Sequence, residues 1–315
     1  MKKRNYIYIE GIATALDPIH QGGDTTGGTI AEFRRELTRV DNVYEYMPVI
    51  SANSMAGLLR RETVQWVLDQ IGFEKFTADQ FRQFDILTSG GGRVTAANTP
   101  GYVDLFTENE LRELFPTVSL FGGSIGNRMI KGRVRVDPVV PICVEMKQRL
   151  PAELHELADR WHIEDMLQEL NFSAMDNKES SDWRDYLDPL ALEQWKSEKE
   201  QRAQKGQAPD NNVKMRYGVE CLAAGSMFHL GFLLKNPTEV ELGTFLGGLG
   251  YYFENPIIGG KSNRGFGRIH IDLKQYKLLG FQREEGELAV GAVQAASEFL
   301  AGNAERIKQF IREGL

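Results

Sequence analysis

Residues 257–270 read Ile-Ile-Gly-Gly-Lys-Ser-Asn-Arg-Gly-Phe-Gly-Arg-Ile-His, a glycine-rich loop that runs straight into a strand. Gly259, Gly260, Gly265 and Gly267 alternate with Lys261, Arg264 and Arg268, Ser262 and Asn263 form the middle, and Phe266 sits between the last two glycines. Glycine admits positive φ and lets another chain approach without a Cβ in the way. Interleaved cations and an aromatic ring suit a phosphate backbone with bases to stack. The same residues also fit a tight turn before an edge strand, with its Lys and Arg in solvent. A single glycine-rich loop does not separate the two.

Companion loops lie elsewhere in the chain. Residues 6–16 alternate and are rich in β-branched and aromatic side chains, which predicts a strand. It opens into Asp17-Pro18-Ile19-His20-Gln21-Gly22-Gly23-Asp24-Thr25-Thr26-Gly27-Gly28. Residues 29–50 are mixed, with Arg34, Arg35 and Arg39 as a basic stretch. Ser51, Asn53 and Ser54 then offer helix caps, and Met55, Leu58, Leu59, Trp66, Val67 and Ile71 fall on one face up to a stop at Gly72. A capped helix start beside a glycine-rich loop favours an anion, and Arg60 and Arg61 follow within two turns. Those two arginines equally fit a solvated helix face.

A third loop, Leu120-Phe121-Gly122-Gly123-Ser124-Ile125-Gly126-Asn127-Arg128, precedes a strand through Lys131-Gly132-Arg133-Val134-Arg135-Val136. Alternation puts Arg133 and Arg135 on one face and the valines on the other. Helical pieces are expected near 78–84 and 108–114, near 153–170 and 190–204, from 239 to 253 and from 288 to 311. Strand character returns between 213 and 235, with a break at Ala223-Ala224-Gly225-Ser226. Without the insertions, the order is strand, helix, strand, strand, helix, strand. That is an α+β chain of ferredoxin-like type, the arrangement also used by RNA recognition motifs.

Composition narrows the function. The 315 residues exceed one ordinary domain, so a core fold with large insertions or a two-domain chain is expected. No run of about 18 apolar residues is present to cross a membrane. Cys143 and Cys221 lie far apart with no metal-ligand spacing, so neither a disulfide scaffold nor a zinc site is expected, and a cytoplasmic location follows. The net charge of −7 argues against nucleic acid until its distribution is read. Between Glu153 and Asp210 stand 15 acidic against 7 basic residues, net −8, which leaves +1 for the rest of the chain.

The four stretches Ile19–Asp24, Pro48–Arg60, Leu120–Val136 and Gly259–Arg268, in that order, resemble the repeat-associated mysterious proteins of CRISPR systems. In particular they resemble the repeating backbone subunit of class 1 effector complexes, in a form more like type IV. The resemblance implies a modified RNA-recognition-motif palm in segments 1–72, 119–150 and 216–287, a helical finger at 73–118, an acidic thumb at 151–215 and a C-terminal helix at 288–315. It also implies a guide RNA, a target DNA or RNA paired to it, further copies of the chain in a helical filament and other complex subunits, with no cofactor and no metal.

RNA contacts are then expected at His20, Gly22, Gly23, Asn53, Ser54, Arg60, Arg61, Gly122, Gly123, Arg128, Lys131, Arg133 and Arg135. In the terminal loop they fall at Gly259, Gly260, Lys261, Ser262, Asn263, Arg264, Phe266 and Arg268. Phe172, Met175 and Met215 are candidate thumb wedges, or anchors on a neighbouring subunit. Relatives from type III systems carry an aspartate in the first loop that cuts target RNA, so Asp24 carries a metal-dependent endonuclease alternative. The long segment after Asp24 departs from the spacing of those relatives. A phosphate-cofactor enzyme would need a Walker or dinucleotide pattern between a strand and a helix, which the chain lacks.

Overall fold

The computed structural model describes residues 5–23, 30–90, 105–125, 128–174, 188–194, 197, 215–279 and 285–313. Strand β1 (Tyr6–Ala15) is its centre. Odd-numbered Ile7, Ile9, Ala13 and Ala15 are buried. Strands β2 (Ile30–Ala31), β3 (Arg35–Val40) and β4 (Val43–Pro48) follow, then helix α1 (Ala52–Gln70). Helices α2 (Phe81–Ser89), α3 (Leu105–Leu114) and α4 (Pro116–Phe121) lead to β5 (Gly123–Ile125), β6 (Arg128–Ile130), β7 (Val134–Val136) and β8 (Val140–Pro141). Next come β9 (Leu167–Ala174), β10 (Met215–Leu222), β11 (Met227–Lys235) and helix α5 (Glu239–Glu254). Strand β12 (Ile269–Leu279) and helices α6 (Glu285–Gly302) and α7 (Ala304–Glu313) close the described chain.

Among the described residues the main sheet has the order β12-β1-β11-β7, with β8 also on β11. Its pairings are antiparallel. With α1 between the first and second strands of this set and α5 between the third and fourth, the chain is a ferredoxin-like α+β palm carrying insertions. Thr238 opens α5 with a capping box, its Oγ1 accepting from Glu241 N–H at 3.1 Å and its own N–H donating to Glu241 Oε2 at 2.7 Å. The helix meets α1 closely because Gly247 and Gly248 stand where a Cβ would overlap the Trp66 ring and Thr63. One core fills the space between sheet and helices; a second, built from Val64, Trp66, Ile86, Leu111, Phe115, Leu300 and Ile311, joins α1 to helices α2 and α3 and to α6 and α7. No helix among the described residues is long and apolar enough to cross a membrane.

Two expectations change, and one unassigned stretch takes on structure. The helix expected near 153–170 is present only as single turns ending at Met166; from Leu167 the chain is a strand paired with β10. Cross-strand pairs Leu222 with Leu167, Val219 with Leu170 and Tyr217 with Phe172 bury apolar surface that a local window does not see. Strands β9 and β10 therefore form an antiparallel ribbon, and β10 also takes β2 in parallel. Residues 35–48, left without an assignment above, form the β3–β4 hairpin. The single C-terminal helix breaks at Asn303, whose side-chain amide donates to the Phe299 carbonyl at 2.8 Å.

Candidate nucleic-acid interface

The first loop and the terminal loop interlock through their backbones. Leu16 N–H and Asp17 N–H donate to the Arg268 carbonyl, Gly267 N–H to the Pro18 carbonyl at 3.0 Å, and Gly260 N–H to the His20 carbonyl at 2.6 Å. Gly259, at φ 78°, lies against that same His20 carbonyl, where a Cβ would overlap it. Lys261 (φ 61°) and Gly265 (φ 80°) bracket a turn of 3-10 helix that exposes Ser262, Asn263 and Arg264.

His20, expected to contact RNA, is 2% exposed. Its Nδ1–H donates to the Glu220 carbonyl at 2.7 Å, and its ring meets Phe33 and Phe266 edge-on at 6.0 and 6.4 Å. Burial pushes the imidazole pKa down, opposed by that bond to the Glu220 carbonyl, so the ring is held neutral. Phe266, expected to stack on a base, is also 2% exposed and packs with Val219 and Cys221. Its neighbours already occupy both the surface and the ring. This is a correction: the aromatic of the terminal loop fastens the loop and is closed to a base. Arg268 is committed likewise, with Nε and Nη2 on the two Asp17 carboxylate oxygens at 2.7 and 2.9 Å. The bonded guanidinium holds the Asp17 carboxyl below its usual range.

The helix start joins this pair of loops through Gln21. Gln21 Nε2 donates to Ser51 Oγ at 3.0 Å, and Ser51 N–H donates to Gln21 Oε1 at 2.9 Å. Ser51 Oγ in turn accepts from Ser54 N–H at 3.2 Å as the cap of α1. Asn53 and Ser54 are exposed beside it, as is Gly22, with Gly23 half-buried. Sequence reasoning quoted Gln21 without a role; its amide fork becomes legible only once the cap lies opposite.

The two consecutive arginines of α1 diverge. Arg61 is exposed. Arg60 turns inward: Nη2 donates to the Phe121 carbonyl at 2.7 Å and the guanidinium lies 5.8 Å from the Phe121 ring centre, its pKa lowered by desolvation. Gly122 and Gly123 follow directly, and Gly122 (φ 71°) has Gly132 N 2.7 Å from where a Cβ would stand. These glycines serve close packing of backbone on backbone.

The basic sheet face expected from Arg133 and Arg135 is neutralised by acids. Arg133 Nη1 donates to the Asn236 carbonyl at 2.7 Å and to Glu241 Oε2 at 2.9 Å, and Glu241 Oε1 accepts from Ser119 Oγ at 2.5 Å. Arg135 pairs with Asp137 at 3.0 Å. Lys131 is exposed, and the side chain of Arg128 lies outside the described residues.

On the β9–β10 ribbon, Phe172 stacks on Tyr217 at 5.4 Å and 18° and meets Phe266 at 6.0 Å. Phe172 thus packs within the β9–β10 ribbon, opposite Tyr217 and against Phe266. Met175, the side chain of Met215 and Asp24 lie outside the described residues. Two unexpected residues tie this region together. Glu220 accepts from Phe33 N–H at 2.8 Å and pairs with Arg35, and Tyr217 meets Arg264, whose guanidinium lies 5.6 Å from the ring centre. Their partners stand 47 to 187 positions away, so no local pattern marks them.

The first loop, the α1 start and the terminal loop therefore form one contiguous region, and the central segment attaches to α1 through Arg60. Among the described residues of these segments, Arg61, Lys131, Lys261 and Arg264 have no carboxylate at ion-pair distance, whereas Arg133, Arg135 and Arg268 do. No protein-family model matches the chain. No curated protein matches it. A chain solved in a structure titled "Type IV-B CRISPR Complex" is similar to it with a TM-score of 0.57 and 19% identity, over 88% of this chain and 95% of that one. What the two share across nearly their whole lengths is the fold.

Proposed function

We propose that the chain binds CRISPR guide RNA as a repeated backbone subunit of a class 1, type IV-like effector complex. It would present the guide for pairing with target nucleic acid and meet further copies of itself and other subunits. The observation that carries this reading is the shared fold with a chain of a type IV-B CRISPR complex over 88% of the residues. The geometry supports it. Exposed Asn53 and Ser54, Lys261 and the Ser262–Arg264 turn stand around loops anchored by their own backbones. Backbone donors and cations held on fixed loops suit phosphates of any sequence, as a subunit serving many guides requires. Lys261, Arg264, Arg61 and Lys131 carry the positive charge; Arg60, Arg133 and Arg268 hold the scaffold.

The test is mass photometry of the chain purified with co-expressed guide RNA, followed by incubation with complementary RNA and magnesium. A ladder of masses on intact guide, with target uncut, is the expected result; a monomer free of RNA overturns the reading. Regular cuts in the target that vanish in Asp24→Ala replace it with the endonuclease alternative. Under the binding reading, a Lys261→Ala/Arg264→Ala double variant lowers the slope of log affinity against log salt by about 1.4, at ~0.7 per phosphate contact on a single strand. An unchanged slope removes the terminal loop from the interface.

A further inference from the structure

The β3–β4 hairpin has one face in use and one face open. Cross-strand partners share a side and successive residues alternate, so Leu37 with Tyr46 and Arg39 with Tyr44 lie opposite Met47 and Thr38. Met47 and Thr38 are buried, and Arg149 fastens that inner side, Nη1 donating to Thr38 Oγ1 at 3.3 Å and Nη2 to Glu36 Oε2 at 3.1 Å. On the outer side Leu37, Tyr44 and Tyr46 stand 56%, 66% and 69% exposed. A two-stranded ribbon with an apolar face in water is marginal by itself, which favours a state in which that face is covered.

A second aromatic patch follows the far end of α1. Its ring centres step from Phe73 to Phe76 at 4.7 Å, on to Phe84 at 5.3 Å and from there to Phe81 at 6.1 Å. Phe81 and Phe84 are 51% and 40% exposed. Residues 69–85 hold four acids, Asp69, Glu74, Asp79 and Asp85, against Lys75 and Arg82, net −2. Acids repel phosphate, so this cluster suits a protein and not RNA. The outer hairpin face has the opposite sign: Arg39 stands on it beside the tyrosines and donates to uncharged acceptors, the Asp41 carbonyl and Asn42 Oδ1.

Helix α1, about 28 Å long, separates the two patches, with the hairpin ending just before its Ser51 cap and Phe73 following its last turn. Two unlike patches beside opposite ends of one helix stay apart within a chain. Between copies they make a head-to-tail contact, and such a contact repeats from copy to copy unless its rotation closes a ring.

We propose that the outer face of the β3–β4 hairpin of one copy docks on the phenylalanine cluster of the next. The proposal rests on the reading of the chain as a repeated subunit and adds which surfaces meet. Tyrosine, phenylalanine and arginine are the residues enriched at the centres of protein interfaces, and here the arginine comes from one side and the acids from the other.

The test is mass photometry of the full chain on guide RNA across a concentration series, read beside fluorescence anisotropy on a labelled RNA short enough for one copy. Tyr44→Ser/Tyr46→Ser and Phe81→Ser/Phe84→Ser are each expected to raise the concentration needed for two or more copies per guide about tenfold, with short-RNA affinity unchanged. Mixed in equal amounts, the two variants keep one intact hairpin and one intact cluster between them, so pairs return while longer ladders do not.

Wild-type ladders in both variants overturn the proposal and leave the RNA-binding reading standing. A loss of short-RNA affinity in the hairpin variant also overturns it, since the tyrosines then serve RNA. Failure of the mixture to restore pairs overturns the head-to-tail contact. Should Phe81→Ser/Phe84→Ser fail to fold, Arg39→Glu sets like charge against the acids and must raise the same concentration, or the proposal falls. A wild-type chain that neither binds RNA nor forms a ladder overturns both readings.

Discussion

The terminal loop and the central glycine segment carry the same signature, paired glycines among arginines and lysines ahead of a strand, yet the fold uses them differently. In the central segment the glycines press backbone on backbone and the nearby arginines turn inward, Arg60 to the Phe121 carbonyl and Arg133 to Glu241. In the terminal loop, Gly259 and Gly267 anchor the ends on the first loop while the turn between them projects Ser262, Asn263 and Arg264 into solvent. The lesson is that a glycine-and-cation pattern marks close approach, and the partner that approaches is decided elsewhere in the chain. A carbonyl or carboxylate within reach makes the pattern structural; its absence leaves a cation for a ligand.

The difference breaks most visibly at glycine. Gly122→Ala forces a side chain at positive φ into the backbone of residues 130–132, and a loss of about 3 kcal/mol or more in urea unfolding is expected. Gly265→Ala meets positive φ as well but open space, with nothing within 4 Å of the added Cβ. Its expected cost is only about 1 kcal/mol, from backbone strain alone. Equal losses at the two sites would erase the distinction between packed and projecting glycines.

A second contrast sets neighbours on one helix against each other. Arg60→Ala removes a charged hydrogen bond to the Phe121 carbonyl and the contact with its ring, and a loss of about 2 kcal/mol is expected. Arg61→Ala, on the exposed side, leaves the unfolding midpoint within about 0.5 kcal/mol of wild type. If Arg61 touches RNA, its substitution shows in the salt slope, where a folding-competent Arg60 variant does not. A slope change at Arg60 and a stability change at Arg61 would reverse their roles.

What was legible in the sequence follows the range of the interactions. Strand β1, helix α1 with its Ser51 cap, α5 and the order of the palm elements depend on local periodicity, and they are where the pattern puts them. The β9–β10 ribbon was not legible, because Leu167–Leu170 reads as the end of a helix until β10, some 50 positions later, pairs with it. His20 and Phe266 look like loop residues, and their burial depends on Glu220, Phe33 and Phe172. Arg60 and Arg61 differ only in helix phase relative to a segment that approaches from 61 positions away. The loops were readable as a set; which of their cations are already paired was not.

The smallest expected effect concerns the anchor of the terminal loop, and its sign is fixed. Burial holds His20 below its ordinary pKa of 6.5, so the folded chain binds the proton less readily than the unfolded chain does. The stability of the neutral ring is fully present above 6.5 and is lost as pH falls through and below that value. His162 runs the other way: its bond to Glu145 raises its pKa, and that contribution is present below 6.5 and fades as pH rises. Urea midpoints at about pH 7.5 and about pH 5.5, compared between wild type and His20→Leu, isolate the His20 part. The wild-type chain is expected to lose more stability on acidification than His20→Leu. Because the His20 carbonyl holds Gly260 and its ring abuts Phe266, proteolysis in the Ser262–Arg264 turn should rise first on acidification, with the Gly122 segment still protected. Equal acid sensitivity in both chains would mean that the terminal loop is held by its backbone bonds and not by the His20 ring.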